Sequence, residues 1–155
     1  MNTAYLSLGS NIEPEKNLPD ALKRLAEFVH IEGVSSVWHT RSIGSMGPDF
    51  LNAAVKVSTE LNAYTLKEEI LCSLEESMGR IRLADKNAPR TIDVDILVFN
   101  QEVLDRHIFL YDHLILPLSE LIPELRESVN SPSLREIAST HESTTSAYRV
   151  GHISN

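Results

Sequence analysis

Two carboxylates separated by one residue, Asp93 and Asp95, sit inside the segment Thr91-Ile-Asp-Val-Asp-Ile-Leu-Val-Phe99, whose β-branched and apolar residues alternate as a strand requires. Successive side chains of a strand point to opposite faces. Ile92, Val94, Ile96 and Val98 are therefore expected on one face, with Asp93 and Asp95 on the other, roughly 6.6 Å apart along the chain. Two like charges so close either raise each other's pKa or attract a cation, and a hard divalent ion with oxygen ligands relieves the repulsion. Directly upstream, the eleven residues from Arg80 to Arg90 hold four of the chain's fourteen Lys and Arg residues, among them Arg80, Arg82 and Arg90. A guanidinium is a planar fork of donors suited to phosphate oxygens. A metal-holding carboxylate pair beside such a loop suits phosphoryl transfer, a reaction catalysed by positioning and by charge neutralisation. The bland reading of the same residues is the solvated face of a half-buried strand next to a solvated run of charge.

Other polar residues stand out against apolar surroundings. Asn52 interrupts Phe50-Leu-Asn-Ala-Ala-Val55, and a buried amide must find partners for two donors and an acceptor. It is suited either to the amide-like edge of a heterocycle or to tying down a neighbouring loop. Phe50 and Trp38 offer faces on which a flat ligand could stack, although core packing is the commoner fate of strand aromatics. His39, His107 and His113 have no metal-ligand spacing with one another or with Cys72, which argues against a zinc site.

The elements that must position these groups are legible in outline. A strand is predicted over residues 3–8, ended by Gly9-Ser10-Asn11, and then a helix with Leu18, Leu22, Leu25 and Val29 on one face behind Asn17 as N-cap. Strands are predicted over 34–39 and 50–58. The second helix is drawn from Thr65-Leu-Lys-Glu68 as a capping box, a stripe of Leu66, Ile70, Leu74 and Met78, and Gly79 as the C-terminal glycine. With the Asp strand the order is strand, helix, strand, strand, helix, strand. This is the split βαβ pattern of an α+β ferredoxin-like fold, an antiparallel sheet with helices packed on it. Beyond Asn100 a short strand is expected near 102–104, then the apolar run 114–118 and short helices around 119–122 and 132–138. The domain is drawn as 1–138, and the Ser-, Thr- and His-rich segment 139–155 as a mobile tail.

A chain of 155 residues with 42% hydrophobic content suits a single core. Its net charge of −8 argues against capture of a nucleic-acid backbone. No uninterrupted apolar run approaches the roughly 20 residues needed to cross a bilayer, the amino terminus has no basic signal-like region, and a lone cysteine suits a reducing cytoplasmic setting.

Four motifs in order carry a family resemblance over roughly the first 125 residues: Leu8-Gly-Ser-Asn11, Gly47-Pro-Asp-Phe-Leu-Asn-Ala-Ala54, Gly79-Arg-Ile-Arg82 and Ala88-Pro-Arg-Thr-Ile-Asp-Val-Asp-Ile-Leu97. With them the chain resembles the 6-hydroxymethyl-7,8-dihydropterin pyrophosphokinases of folate biosynthesis. That resemblance implies transfer of the terminal diphosphate of ATP to the pterin hydroxymethyl oxygen, with release of AMP and with two magnesium ions as cofactors. It implies Asp93 and Asp95 as metal ligands and Arg80 and Arg90 as the catalytic cations. Arg82, Glu75, Ile96 and His113 fall to the ATP side. Thr40, Ile43, Gly44, Phe50 and Asn52 fall to the pterin pocket, with Phe50 stacking and Asn52 reading the ring edge. The chain departs from the family pattern in having Asn87-Ala88 where members often have Trp-Gly, and in a shortened stretch over 105–116. The readings that follow are this transferase, the same chemistry on a modified pterin, and a non-catalytic pterin- or nucleotide-binding module.

Overall fold

The computed structural model describes residues 1–41, 48–79 and 91–153. Strand β1 (Asn2–Ser10) lies at the centre of the sheet, and helix α1 (Pro14–Leu25) follows. Pro14 occupies the first helical position, where its missing N–H costs nothing, and Leu18, Ala21, Leu22 and Leu25 form the buried face. Asn17, expected as the N-cap, lies one turn inside this helix, where its amide donates to the Ile12 carbonyl at 2.5 Å. The predicted strand over 34–39 is two short strands, β2 (His30–Val34) and β3 (Ser36–Thr40), both antiparallel to β4 (Phe50–Thr59). Ser35 separates them: its N–H still donates to the Ala54 carbonyl at 2.9 Å, while its hydroxyl, rather than its carbonyl, accepts the Ala54 N–H at 2.8 Å.

The second helical run has three pieces: α2 (Ala63–Thr65), a π-helical turn (Leu66–Leu71) and α3 (Cys72–Ser77). Its N-cap is Asn62, whose side chain accepts the Thr65 N–H at 2.8 Å, so the capping box expected at Thr65 gives way to a start three residues earlier. The π turn inserts one residue into the helical repeat, which moves full burial from Ile70 to Leu71 between Leu66 and Leu74.

Strand β5 (Asp93–Phe99) pairs with β1, and β6 (Glu102–Val103) completes a hairpin on its far side. A 3-10 turn (Arg106–Phe109) leads to α4 (Asp112–Ser119), so the apolar run 114–118 is helical. Helix α5 (Leu134–Glu142) opens with a true capping box between Ser133 and Glu136, and β7 (Tyr148–His152) ends the described chain. The segment drawn as a tail from 139 thus contains the end of α5 and a strand paired antiparallel with β3. Backbone pairing at an open sheet edge needs few apolar residues, which is why composition did not reveal it.

Among the described residues the sheet has seven strands in the order β6-β5-β1-β4-β3-β7, with β2 also on β4. Its β5-β1-β4-β2 centre, with α1 and the α2–α3 run on one face, is the ferredoxin-like α+β arrangement expected. That face buries Leu6, Leu8, Val55, Val57, Val94 and Ile96. On the other face, α4 covers Tyr5, Ala54, Leu97 and Val98. Val98 was expected beside Val94; a bulge that pairs Leu6 with Ile96 and Tyr5 with Val98 leaves Leu97 as an extra residue and turns Val98 to the opposite core.

Candidate functional site

The register of three adjacent strands sets one row of residues across the sheet: Asp93 on β5 opposite Gly9 on β1, and Gly9 opposite Asn52 on β4. Adjacent strands lie about 4.8 Å apart, so Asp93 and Asn52 flank a gap of roughly 10 Å whose middle residue has no side chain. In the next row toward the core, Asp95 lies opposite Ser7, and Ser7 opposite Ala54. Asp93 and Asp95 are both half-buried, while Ile92, Val94 and Ile96 between and around them are buried. The alternation read from the sequence therefore holds through the carboxylate pair.

Asn52 is buried, and its amide nitrogen donates to Thr40 Oγ1 at 2.6 Å, which brings two expected pocket residues together. Phe50, half-buried, opens β4 opposite Thr40. Its ring reaches the space above Gly9, within 3.7 Å of where a Cβ would stand. Trp38 serves differently. It is 4% exposed, lies in the core with Ile115 and Leu116, and donates its indole N–H to Glu120 Oε2 at 2.8 Å, so it is a core residue with no free face for a ligand. Asn11, at the end of β1, donates to the Pro48 carbonyl at 3.1 Å and anchors the chain just before Phe50.

Val94, between the two aspartates, is held from the helical side. Its N–H donates to Glu75 Oε2 at 2.9 Å and its carbonyl accepts from Lys67 Nζ at 3.0 Å. On this stretch β5 has β1 on one edge and no strand of the described residues on the other, so side chains from the π turn and α3 take the place of a strand partner. Glu75, expected on the nucleotide side, is fully buried in this role, and Ile96 packs in the core beneath the carboxylates.

Lys67 was not anticipated as a site residue. Its ammonium also donates to Asp95 Oδ1 at 2.9 Å. Burial pushes the Lys67 pKa down, but the hydrogen bond and charge of Asp95, with Glu75 behind it, prevail and hold it above the ordinary lysine value. A lysine next to the first buried leucine of a helix carries no signal in the sequence; the π turn that orients it is a tertiary feature.

His113 lies on α4 beside a cavity of about 330 Å³ whose walls also include Thr40, Arg41, Tyr111 and His141. It stacks on Tyr111 with ring centroids 5.7 Å apart, and Tyr111 stacks in turn on His107 at 5.0 Å. Burial holds the His113 pKa below the ordinary histidine value, outweighing the opposing pull of Asp93, Asp105 and Asp112. Below it, Asp112 accepts from His141 Nδ1 at 2.5 Å and from the Thr145 hydroxyl, fixing α5 to α4. Arg80, Arg82, Arg90, Ile43 and Gly44 lie outside the described residues.

The carboxylate pair fits a hard divalent ion in donor chemistry, since both groups are oxygen donors on one face. Among the described residues no group of three or more His, Cys, Asp and Glu could hold a metal unaided. The remaining coordination positions would belong to substrate oxygens and water, as is usual for magnesium at phosphate-transfer sites.

A ferredoxin-like sheet thus carries paired carboxylates at one end of β5 and a fixed amide two strands away on β4, a donor set suited to a small polar substrate and a hard cation. The family model of 7,8-dihydro-6-hydroxymethylpterin-pyrophosphokinase matches residues 5–123, and the chain belongs to this family. Relatives named 2-amino-4-hydroxy-6-hydroxymethyldihydropteridine pyrophosphokinase include one from Haemophilus influenzae, 34% identical over 137 residues, covering 81% of this chain and 84% of the relative. One from Bacillus subtilis is 34% identical over 142 residues and covers 84% of each. Among solved structures, the Plasmodium falciparum HPPK-DHPS has the same fold, with TM-score 0.69 at 16% identity; the match covers 92% of this chain and 44% of that longer one.

Proposed function

We propose that this chain transfers the terminal diphosphate of ATP to the hydroxymethyl oxygen of 6-hydroxymethyl-7,8-dihydropterin, releasing AMP, as a magnesium-dependent pyrophosphokinase of folate biosynthesis. The observation that carries this reading is the row Asp93, Gly9, Asn52, which sets a carboxylate and a fixed amide on either side of a residue without a side chain, with the Phe50 ring at its edge. Asn52, with its nitrogen committed to Thr40, presents its oxygen as an acceptor for the N–H edge of a pterin, and Phe50 offers the ring face. Asp93 and Asp95 would hold two magnesium ions. Bound there, these ions would neutralise phosphate oxygens and lower the barrier to in-line transfer. Glu75 and Lys67 fix the strand that carries both ligands, and Arg80, Arg82 and Arg90 supply phosphate-binding guanidinium groups by family resemblance. Small-molecule substrates without nucleic acid agree with the net charge of −8. Among the described residues no helix is long and apolar enough to cross a membrane, and a cytoplasmic setting agrees with the lone cysteine.

The test is to incubate the protein with ATP, Mg²⁺ and 6-hydroxymethyl-7,8-dihydropterin and to separate the nucleotides, with EDTA as control. AMP formed only with both substrates and metal supports the reading. ADP, or no product despite binding of both substrates, overturns it.

One observation favours a wider acceptor range. Thr40, the partner of Asn52, also lines the cavity shared by His113 and His141, so a pterin with an added polar substituent would find room next to the Asn52 contact. Comparing such an acceptor with the plain hydroxymethyl compound in the same assay separates the two.

A further inference from the structure

The carboxylate strand already carries a cation of its own. Lys67 Nζ lies 2.9 Å from Asp95 Oδ1 and 3.0 Å from the Val94 carbonyl oxygen, and the π turn over Leu66–Leu71 delivers it there. The pair is neither deeply buried nor fully solvated, with side-chain exposures of 32% for Lys67 and 45% for Asp95. A divalent ion at metal-ligand distance from the same oxygen would stand only about 4 Å from the ammonium, and the repulsion between the two cations favours departure of Lys67 as the metal binds.

We infer that Lys67 is a resident counter-ion of the carboxylate pair, which a divalent cation displaces from Asp95 Oδ1 as it binds, so that Lys67 sets the metal concentration at which the site loads. This rests on the reading of Asp93 and Asp95 as the metal face. The chemistry of lysine suits the role. Its ammonium is a compact charge on a flexible stem with three donors, so it leaves the carboxylate while keeping the Val94 carbonyl as a tether. Before metal arrives, it offsets the repulsion between two aspartates one residue apart on the same face. A half-exposed ion pair is weak enough to yield to a doubly charged ion. The competition therefore tunes metal affinity without blocking the site.

The test measures Mn²⁺ binding to the full chain by electron paramagnetic resonance, without nucleotide, for the wild type, Lys67→Met, Lys67→Arg and Asp95→Ala. Lys67→Met, which keeps the stem and removes the charge, should bind Mn²⁺ roughly three- to tenfold more tightly, and Lys67→Arg should stay near the wild type. Affinity unchanged or weakened in Lys67→Met overturns the inference. A second measurement needs no variant: acetylation of Lys67 by acetic anhydride, followed by mass spectrometry, should accelerate as Mg²⁺ is raised. A rate indifferent to saturating Mg²⁺ overturns the inference as well. Asp95→Ala separates the two readings. If it leaves Mn²⁺ affinity intact, the metal face itself is wrong and the inference falls with it. If it weakens binding while Lys67→Met has no effect, only the role given to Lys67 fails.

Discussion

Gly9 and Asn52 face each other across β1 and β4, and a side-chain carbon at Gly9 would stand 2.8 Å from Asn52 Oδ1. The amide cannot easily move aside, because its nitrogen is bonded to Thr40 Oγ1 at 2.6 Å. Gly9→Ala should therefore displace the amide oxygen while leaving β1 paired. The expected result is a rise of roughly tenfold in KM for the pterin, equivalent to about one lost hydrogen bond, with KM for ATP nearly unchanged. Steady-state kinetics with each substrate varied in turn would check it. Equal rises in both constants would mean that the row does not define the acceptor side.

The clasp on Val94 makes a separate prediction about stability. Glu75 is fully buried and accepts the Val94 N–H, so Glu75→Ala leaves that donor unsatisfied and opens a hole. A loss of about 2–3 kcal/mol is expected by urea unfolding. Glu75→Gln retains an acceptor oxygen of the same shape and should lose less than half as much. If the two variants were equally destabilised, the carboxylate's charge rather than the Val94 bond would be the group that matters.

Asp95 carries the most direct prediction about chemistry. Its side chain is 45% exposed and pairs with the half-exposed Lys67 ammonium, so truncation costs little folding energy. Asp95→Ala should retain the native circular dichroism and lose diphosphate transfer by about a thousandfold or more. Turnover at the wild-type rate would remove Asp95 from the metal site.

Why these residues and not others were legible in the sequence follows from the range of the signals. Asp93 and Asp95 declare themselves through a two-residue alternation that depends only on local backbone geometry, and it held as far as Ile96. It failed at Val98 because the bulge there is set by pairing with β1, some ninety residues away in the chain. The stripe Leu66, Ile70, Leu74 presupposes an uninterrupted α-helix, and the π turn broke that assumption by one residue. The same turn brings Lys67 to Asp95, which made the site's most unexpected contact invisible to spacing. Strand β7 escaped because backbone hydrogen bonds, rather than apolar side chains, hold it to β3.

Glu120 gathers the donors that tie β7 and α4 to β3. It accepts from the Ser36 N–H and hydroxyl at 2.9 Å each and from Trp38 Nε1 at 2.8 Å, while Arg149 approaches at 3.7 Å and lies 4.6 Å above the Trp38 ring. Glu120→Ala removes one acceptor from three donors and should cost about 2–3 kcal/mol. Trp38 is the chain's single tryptophan, so its fluorescence reports this place alone. A shifted emission maximum together with the stability loss is expected; an unchanged spectrum would show that Trp38 is held by packing and not by the carboxylate.

His113 gives the fold a dependence on pH. Burial on α4 beside Tyr111 holds its folded pKa below the ordinary value of 6.5, although Asp93, Asp105 and Asp112 pull the other way. In the unfolded chain the imidazole takes up a proton as the pH falls through 6.5; in the folded chain it resists until lower pH. Between those two points the unfolded state binds more protons, so stability rises with pH, is complete above 6.5 and declines as the medium is acidified. Urea unfolding at a series of pH values from 5 to 8 should show this decline in the wild type. In His113→Gln, which cannot titrate, that part of the slope should disappear. The carboxylates contribute their own losses only toward lower pH, so a variant that kept the full slope between 6.5 and 5.5 would assign it to another of the six histidines.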